Sequence, residues 1–176
     1  LINNQKDSVW RYVLNEAISL PYNEDFSSLV DSVYDKPGII GIPGAAHWDF
    51  KCNSAAVRLN TRGSITSVSK IGQQVLELTG TFNMAGFQVT DNIRMKLDIP
   101  PLDVLKPTIF IRGSDVSPWL VLPIRDAISG IDDLKNMNVS GILAKANQKF
   151  SSSFQVRIVG VTSSYVQELI ILKSFA

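Results

Sequence analysis

The sequence is poor in the residues that do chemistry. It holds one cysteine, Cys52, and one histidine, His47, among 176 residues. A single cysteine excludes an internal disulfide framework and any all-cysteine metal site. Cys52 reads as a small, half-buried apolar residue, with no nucleophile signature around it. No G-x-S-x-G elbow, no G-x-x-x-x-G-K-[ST] loop and no G-x-G-x-x-G fingerprint occurs, so no known strand-to-helix nucleophile turn or phosphate cradle is encoded. Charge of one sign is also missing: 17 basic residues against 16 acidic leave +1. That balance gives no electrostatic reason to expect nucleic acid. A polybasic arm of the kind many RNA-packaging shells carry is absent from this stretch; the first residue is Leu1 rather than Met, which leaves room for a preceding segment. No apolar run reaches the roughly 18 residues of a membrane-spanning helix, and LINNQKDSVW has no basic-then-apolar signal pattern.

What is present is a globular composition, 45% hydrophobic and 19% charged, enough for one domain with a core, or one domain plus a small appendage. Two segments near the start have apolar residues at three- and four-residue steps: Val9, Trp10, Val13, Leu14, Ala17 and Ile18, then Phe26, Leu29, Val30, Val33 and Tyr34. This spacing predicts two short helices, capped by Asp7 and Asn23 and stopped by Pro21 and Pro37-Gly38. Three glycines and two prolines between Pro37 and Gly44 predict a connector. The expected organisation is therefore a helical neck over 1–36, a Pro/Gly connector over 37–45 and a β domain over 46–176.

Beyond residue 46 the pattern turns to period two. VLELTGTF places Leu76, Leu78 and Phe82 on one face. NIRMKLDI places Ile93, Met95, Leu97 and Ile99 opposite Asn92, Arg94, Lys96 and Asp98. FQVRIVGV alternates through Phe154, Val156 and Ile158. TIFIR and WLVLP are short and apolar, as for strands covered on both faces. YVQELIILKSFA reads as one long terminal strand, and 123–137 as a short helix or a loop. The repeated Arg-Gly-Ser at 62–64 and 112–114 reads as two hairpin turns. Seven or eight strands at regular spacing predict a mainly β chain, an antiparallel β-sandwich or jelly-roll-like barrel preceded by the two N-terminal helices.

Candidate chemistry is sparse. His47, flanked by Trp48 and Asp49, reads as a hydrogen-bonded structural histidine. The pairs Asp132/Asp133 and Asp98/Asp103 read as solvated loop charges, matching no calcium or zinc pattern. No metal, cofactor or catalytic group is expected, and the chain reads as no enzyme. The aromatics to watch are Trp48, Phe87, Trp119, Tyr165 and Phe175. Trp119 follows a glycine turn with Arg112 and Asp115 close by. It is either core, continuing into Leu120–Leu122, or a stacking platform for a sugar ring whose hydroxyls meet Arg112 and Asp115. Ser and Thr at 64, 66, 67, 69, 79, 81 and 151–153 would give a sheet face soluble without charge, as on extracellular or virion proteins.

SITSVSKIGQQVLELTGTFNMAG followed by KLDIPPLDVLKP resembles the distal β-domains of bacteriophage fibres and receptor-binding proteins, over about residues 55–176. Shared features are a strand, a short glycine turn, an alternating strand ending in a small-residue loop, a later IP…P segment and a C-terminal strand. The resemblance implies a homotrimer on a virion, with helices buried against symmetry mates and distal loops holding a host-surface saccharide. Two other classes stay open: a jelly-roll capsid or decoration protein of a small virus, and a β-barrel enzyme or small-ligand carrier with His47 or an acid pair in a cavity.

Overall fold

The computed structural model describes residues 16–24, 32–34, 38–41, 47–52, 56–60, 64–68, 75–98, 108–122, 136–161, 165–166 and 168–173. The chain is mainly β, with antiparallel sheets. In chain order the strands are β1 (Tyr22–Glu24), β2 (Ser32–Tyr34), β3 (Gly38–Gly41), β4 (Trp48–Cys52), β5 (Ala56–Asn60), β6 (Ser64–Val68) and β7 (Val75–Phe82). They continue with β8 (Ile93–Asp98), β9 (Thr108–Arg112), β10 (Leu120–Val121), β11 (Met137–Asn138), β12 (Phe154–Val161), β13 (Tyr165–Val166) and β14 (Glu168–Lys173). One short helix, α1 (Val139–Lys145), lies between β11 and β12.

Three sheets result. The largest has six strands in the order β10-β9-β12-β7-β4-β3; the others are β1-β14-β8-β11 and β13-β6-β5-β2. The centre of the six-stranded sheet is the pairing of β7 with β12 over eight residues, from Phe82 opposite Phe154 to Val75 opposite Val161. Period-two alternation decides its faces. Leu78, Phe82, Ile109, Ile111, Phe154, Val156 and Ile158 are buried on one side. Glu77, Thr79, Phe110, Arg112, Gln155, Arg157 and Val159 are half-buried on the other. Ile93, Met95, Leu97 and Met137 from the sheet β1-β14-β8-β11, with Val139 and Leu143 of α1, join the apolar face in one core cluster.

That core is aromatic at one end. Phe82 meets Trp48 edge-on at 5.6 Å between ring centroids and Phe154 at 6.4 Å, and Phe154 meets Phe150 at 5.3 Å. Gly80 makes the arrangement possible. A Cβ there would stand 2.8 Å from the Phe82 ring and 2.9 Å from the Trp48 ring, so the two rings fill the volume that a side chain would need. The helix is tied to the strand beside it by Ser140, whose buried hydroxyl accepts the Ile93 N–H at 2.7 Å. Asn138 caps the helix, its side-chain oxygen accepting the Gly141 N–H at 2.8 Å.

Several expectations need correction. The two N-terminal helices are not shown among the described residues. Tyr22–Glu24 pairs with β14 and Ser32–Tyr34 with β5, both as strands, and Ala17 bridges Asn83; residues 7–15 and 25–31 lie outside the described residues. Over three or four residues an apolar spacing fits both periods, and unpaired sheet edges offer backbone partners that an isolated short helix lacks. Inside the expected connector, Gly38–Gly41 is an edge strand on β4. The terminal run is two strands, not one: β13 pairs with β6 and β14 with β8, in different sheets. TIFIR and WLVLP are buried on one face and only partly covered on the other, where Phe110, Arg112 and Trp119 are half-buried and Thr108 and Val121 exposed. A helix stands at Val139–Lys145, just past the 123–137 segment read as a short helix or a loop, of which 123–135 lies outside the described residues. The strands β6 and β7 belong to different sheets.

Candidate functional site

The outer, polar face of the six-stranded sheet gathers the charged groups. Register places them in rows. Gln155 stands opposite both Thr81 and Arg112; Arg157 stands opposite both Thr79 and Phe110; Asp49 stands opposite Thr79. Since Leu120 pairs with Ile111, Trp119 falls at the position facing Arg112, on the polar side. The structure thus brings Trp119 and Arg112 together, as the sequence led us to expect.

The Trp119 ring, however, is occupied. The Arg112 guanidinium carbon lies 4.2 Å from its centroid and that of Arg157 4.0 Å, with Phe110 edge-on at 6.5 Å. Trp119 is a half-buried platform for two cations, well inside the roughly 6 Å range of a cation–π contact. Arg112 donates its Nε–H to Gln155 Oε1 at 2.7 Å, and Gln155 passes the row on by donating to the Thr81 hydroxyl at 2.9 Å. Arg157 Nε lies 3.3 Å from Glu77 Oε1, an ion pair by distance; the direction misses hydrogen-bond geometry, leaving this buried Nε without a hydrogen bond. Burial, and then the charge of Arg157, pull the Arg112 guanidinium below its ordinary value, while Asp115 acts in the opposite sense. Burial pushes the Asp49 carboxyl up to about 6; Arg157 opposes this and Glu77 adds to it.

Asp115 sits in the loop that leads from Arg112 to Trp119, and its carboxylate is engaged elsewhere. Ser153 Oγ donates to Asp115 Oδ1 at 2.8 Å and accepts the Asp115 N–H at 3.2 Å. The rest of the loop is held as firmly. Gln148 accepts the Gly113 N–H at 2.7 Å and donates to the Pro118 carbonyl at 2.9 Å, closing both ends. Ser151 donates to the Gly113 carbonyl at 2.7 Å. Ser114 and Ser117 hydroxyls meet at 2.7 Å, and the Ser117 N–H reaches the Ser114 carbonyl at 3.1 Å. Gly113 must be glycine because a Cβ there would run into the Lys149 carbonyl. Val116, at the crest, is 89% exposed.

The other candidates fall elsewhere. His47 Nδ1 lies 3.0 Å from the Thr81 carbonyl, which makes Nδ1 the protonated nitrogen. Its ring stacks on Phe82 at 5.3 Å and meets the Tyr22 edge at 5.4 Å. Burial lowers its pKa, while the Thr81 carbonyl and Glu16 act to raise it. Burial raises the Tyr22 hydroxyl strongly, helped by Glu24. Trp48 is core, and Phe87 packs half-buried against the core. Cys52 ends β4, Asp98 ends β8 and Tyr165 opens β13. Phe175, Asp103, Asp132 and Asp133 lie outside the described residues. Among the described residues no three His, Cys, Asp or Glu side chains gather as metal ligands.

Sequence reasoning missed Arg157, Glu77, Gln148, Gln155 and Ser153 as parts of this site. Each lies on a strand or loop remote in sequence from Arg112, and the pairing of β12 with β9 and with β7, together with the loop hydrogen bonds, joins them. No family model matches the chain, and neither the curated proteins nor the solved structures give a match.

Proposed function

We propose that this chain is a non-enzymatic recognition module, a virion fibre tip or receptor-binding head that assembles as a homotrimer and contacts host-surface saccharide. In this reading the sheets form an antiparallel sandwich, and the ligand is met by the loop 113–118 together with the Arg112–Trp119–Arg157 stack. The observation that carries it is the loop. Gly113–Pro118 is bound at both ends and along its length by side chains of Gln148, Ser151 and Ser153, yet it holds an apolar Val116 out in solvent. A loop fixed before binding loses little entropy on binding, and rigidly placed loops are where recognition concentrates. The packing of the half-buried His47 ring against Phe82 and Tyr22, with its Nδ1–H on the Thr81 carbonyl, supports a contact role over acid–base chemistry. The fibre-tip setting, and a virion or extracellular location, rest on the resemblance of residues 55–176.

Solution mass and a binding assay test the proposal together. A trimer that binds host cells or a glycan array is the expected result, with binding lost in Val116→Asp. A large closed shell would favour the capsid alternative and a monomer the carrier. Silence of the trimer on both cells and glycans would overturn the proposal.

A further inference from the structure

We propose that Arg112 and Arg157, held side by side on the Trp119 ring, are a reading site for the oxyanion of an acidic saccharide, a uronate carboxylate or a sugar phosphodiester. This inference rests on the recognition role proposed above and names the ligand class. A guanidinium carries five N–H donors. Arg112 uses its Nε for Gln155, and Arg157 Nε lies 3.3 Å from Glu77 Oε1 as an ion pair without a hydrogen bond. Among the described residues neither guanidinium makes a hydrogen bond through its terminal amino groups. Two cations share one ring at 4.2 and 4.0 Å, and their mutual repulsion contributes to the depressed pKa of Arg112. Glu77 offsets Arg157. Asp115 is the acid nearest Arg112 in the chain, and its Oδ1 is held by Ser153 rather than by the guanidinium. Asp49 and Glu77 both act on Arg157, and Asp115 acts on Arg112 through space, but among the described residues no carboxylate is in ion-pair contact with Arg112, at the side where the fixed loop 113–118 begins.

Arg112 and Arg157 belong to adjacent paired strands and are diagonal neighbours on one face, through Gln155–Arg112 and Arg157–Phe110. Planar guanidinium forks match planar carboxylates and phosphate oxygens two bonds at a time. Stacking on Trp119 orients both forks in advance, so Trp119 is a positioning residue and its ring faces the arginines rather than the sugar. The sugar ring itself then lies toward Asp115 and Val116.

The test is an array of oligouronates, sugar-phosphate oligomers, and neutral methyl-ester or dephosphorylated counterparts. It is probed with the wild-type chain, Arg112→Ala, Arg112→Lys and Trp119→Leu, each checked for wild-type thermal unfolding. The wild type is expected to bind an acidic probe at least about tenfold tighter than its neutral partner, and progressively more weakly with added salt. Arg112→Ala should lose that preference, Arg112→Lys should keep only part of it, and Trp119→Leu should lower it although no charge is removed. The two acidic arms tell carboxylate from phosphate. Equal binding to acidic and neutral probes, or an unchanged preference in Arg112→Ala, overturns this inference while the recognition role stands. Absence of all glycan and cell binding by the wild type overturns both.

Discussion

Asp49 carries its charge in the same row as Arg157, where burial makes ionisation costly. Its carboxyl is pushed up to about 6 from the ordinary 3.8. A raised folded-state pKa means that the protonated form is favoured by the fold. The corresponding stability is complete below about pH 3.8 and is lost as pH rises through about 6. Asp49→Asn, which stays neutral, should therefore be more stable than the wild type at pH 7.5, with the gap closing towards pH 4. A tenfold change in proton affinity corresponds to about 1.4 kcal/mol; partial solvent access screens the charge, so a gain of about 1 kcal/mol is expected. His47 runs the other way. Its pKa is lowered below 6.5, so its contribution is present above pH 6.5 and is lost as pH falls. In the wild type the Asp49 slope, between about pH 3.8 and 6, opposes that of His47 below pH 6.5. In Asp49→Asn only that of His47 remains, and unfolding in urea across this range should show stability falling more steeply with acid than in the wild type. A variant with the wild-type stability at pH 7.5 would show that Asp49 is not held against ionisation.

At the scale of single elements, the loop 113–118 depends on Gln148 more than on its own sequence. One amide closes both ends, accepting from Gly113 and donating to Pro118. Gln148→Ala removes both bonds and should cost about 1–2 kcal/mol of stability, two modest net hydrogen bonds. It should also speed amide exchange at Gly113 and Ser117 and weaken ligand binding. Unchanged exchange there would mean that the loop is rigid for another reason. The element scale also shows what the sequence could and could not reveal. Period two in VLELTGTF, NIRMKLDI and FQVRIVGV was legible because each of these strands has one apolar and one polar face, and Leu78, Phe82, Ile93, Met95, Leu97, Phe154, Val156 and Ile158 are all buried. The strands Tyr22–Glu24 and Ser32–Tyr34 were not, because three residues carry no period and their pairing is decided by distant edges. The helix Val139–Lys145 did have a signal: Asn138 as cap, then Val139, Ile142 and Leu143 on one stripe. In the site, Arg112, Asp115 and Trp119 were legible as neighbours in sequence. Arg157 was not, since its closeness to Trp119 comes only from the register of β12 on β9.

At the scale of the whole molecule, the sheets are assembled from strands far apart in the chain. The sheet β1-β14-β8-β11 draws on residues 22–24, 168–173, 93–98 and 137–138. Such pairing closes long loops before any contact repays them, so folding should be slow for the size. β14 is the critical piece. It stands between β1 and β8, with Ile171 opposite both Tyr22 and Met95. Without it β1 has no strand beside it in this sheet, and β8 keeps only the two-residue β11. The inward side chains of β8, Ile93, Met95 and Leu97, lie in the common core, so loss of order there reaches the six-stranded sheet as well. A chain ending at residue 167 should therefore lose cooperative thermal unfolding, and the amides of Ile93–Asp98 should lose their exchange protection. Protection in β7 and β12, whose mutual pairing spans eight residues, should fall least. If the shortened chain instead melts in one transition with 93–98 protected as before, the first sheet is held by β11 and the core alone, and β14 is an accessory edge rather than the strand that joins the two ends of the molecule.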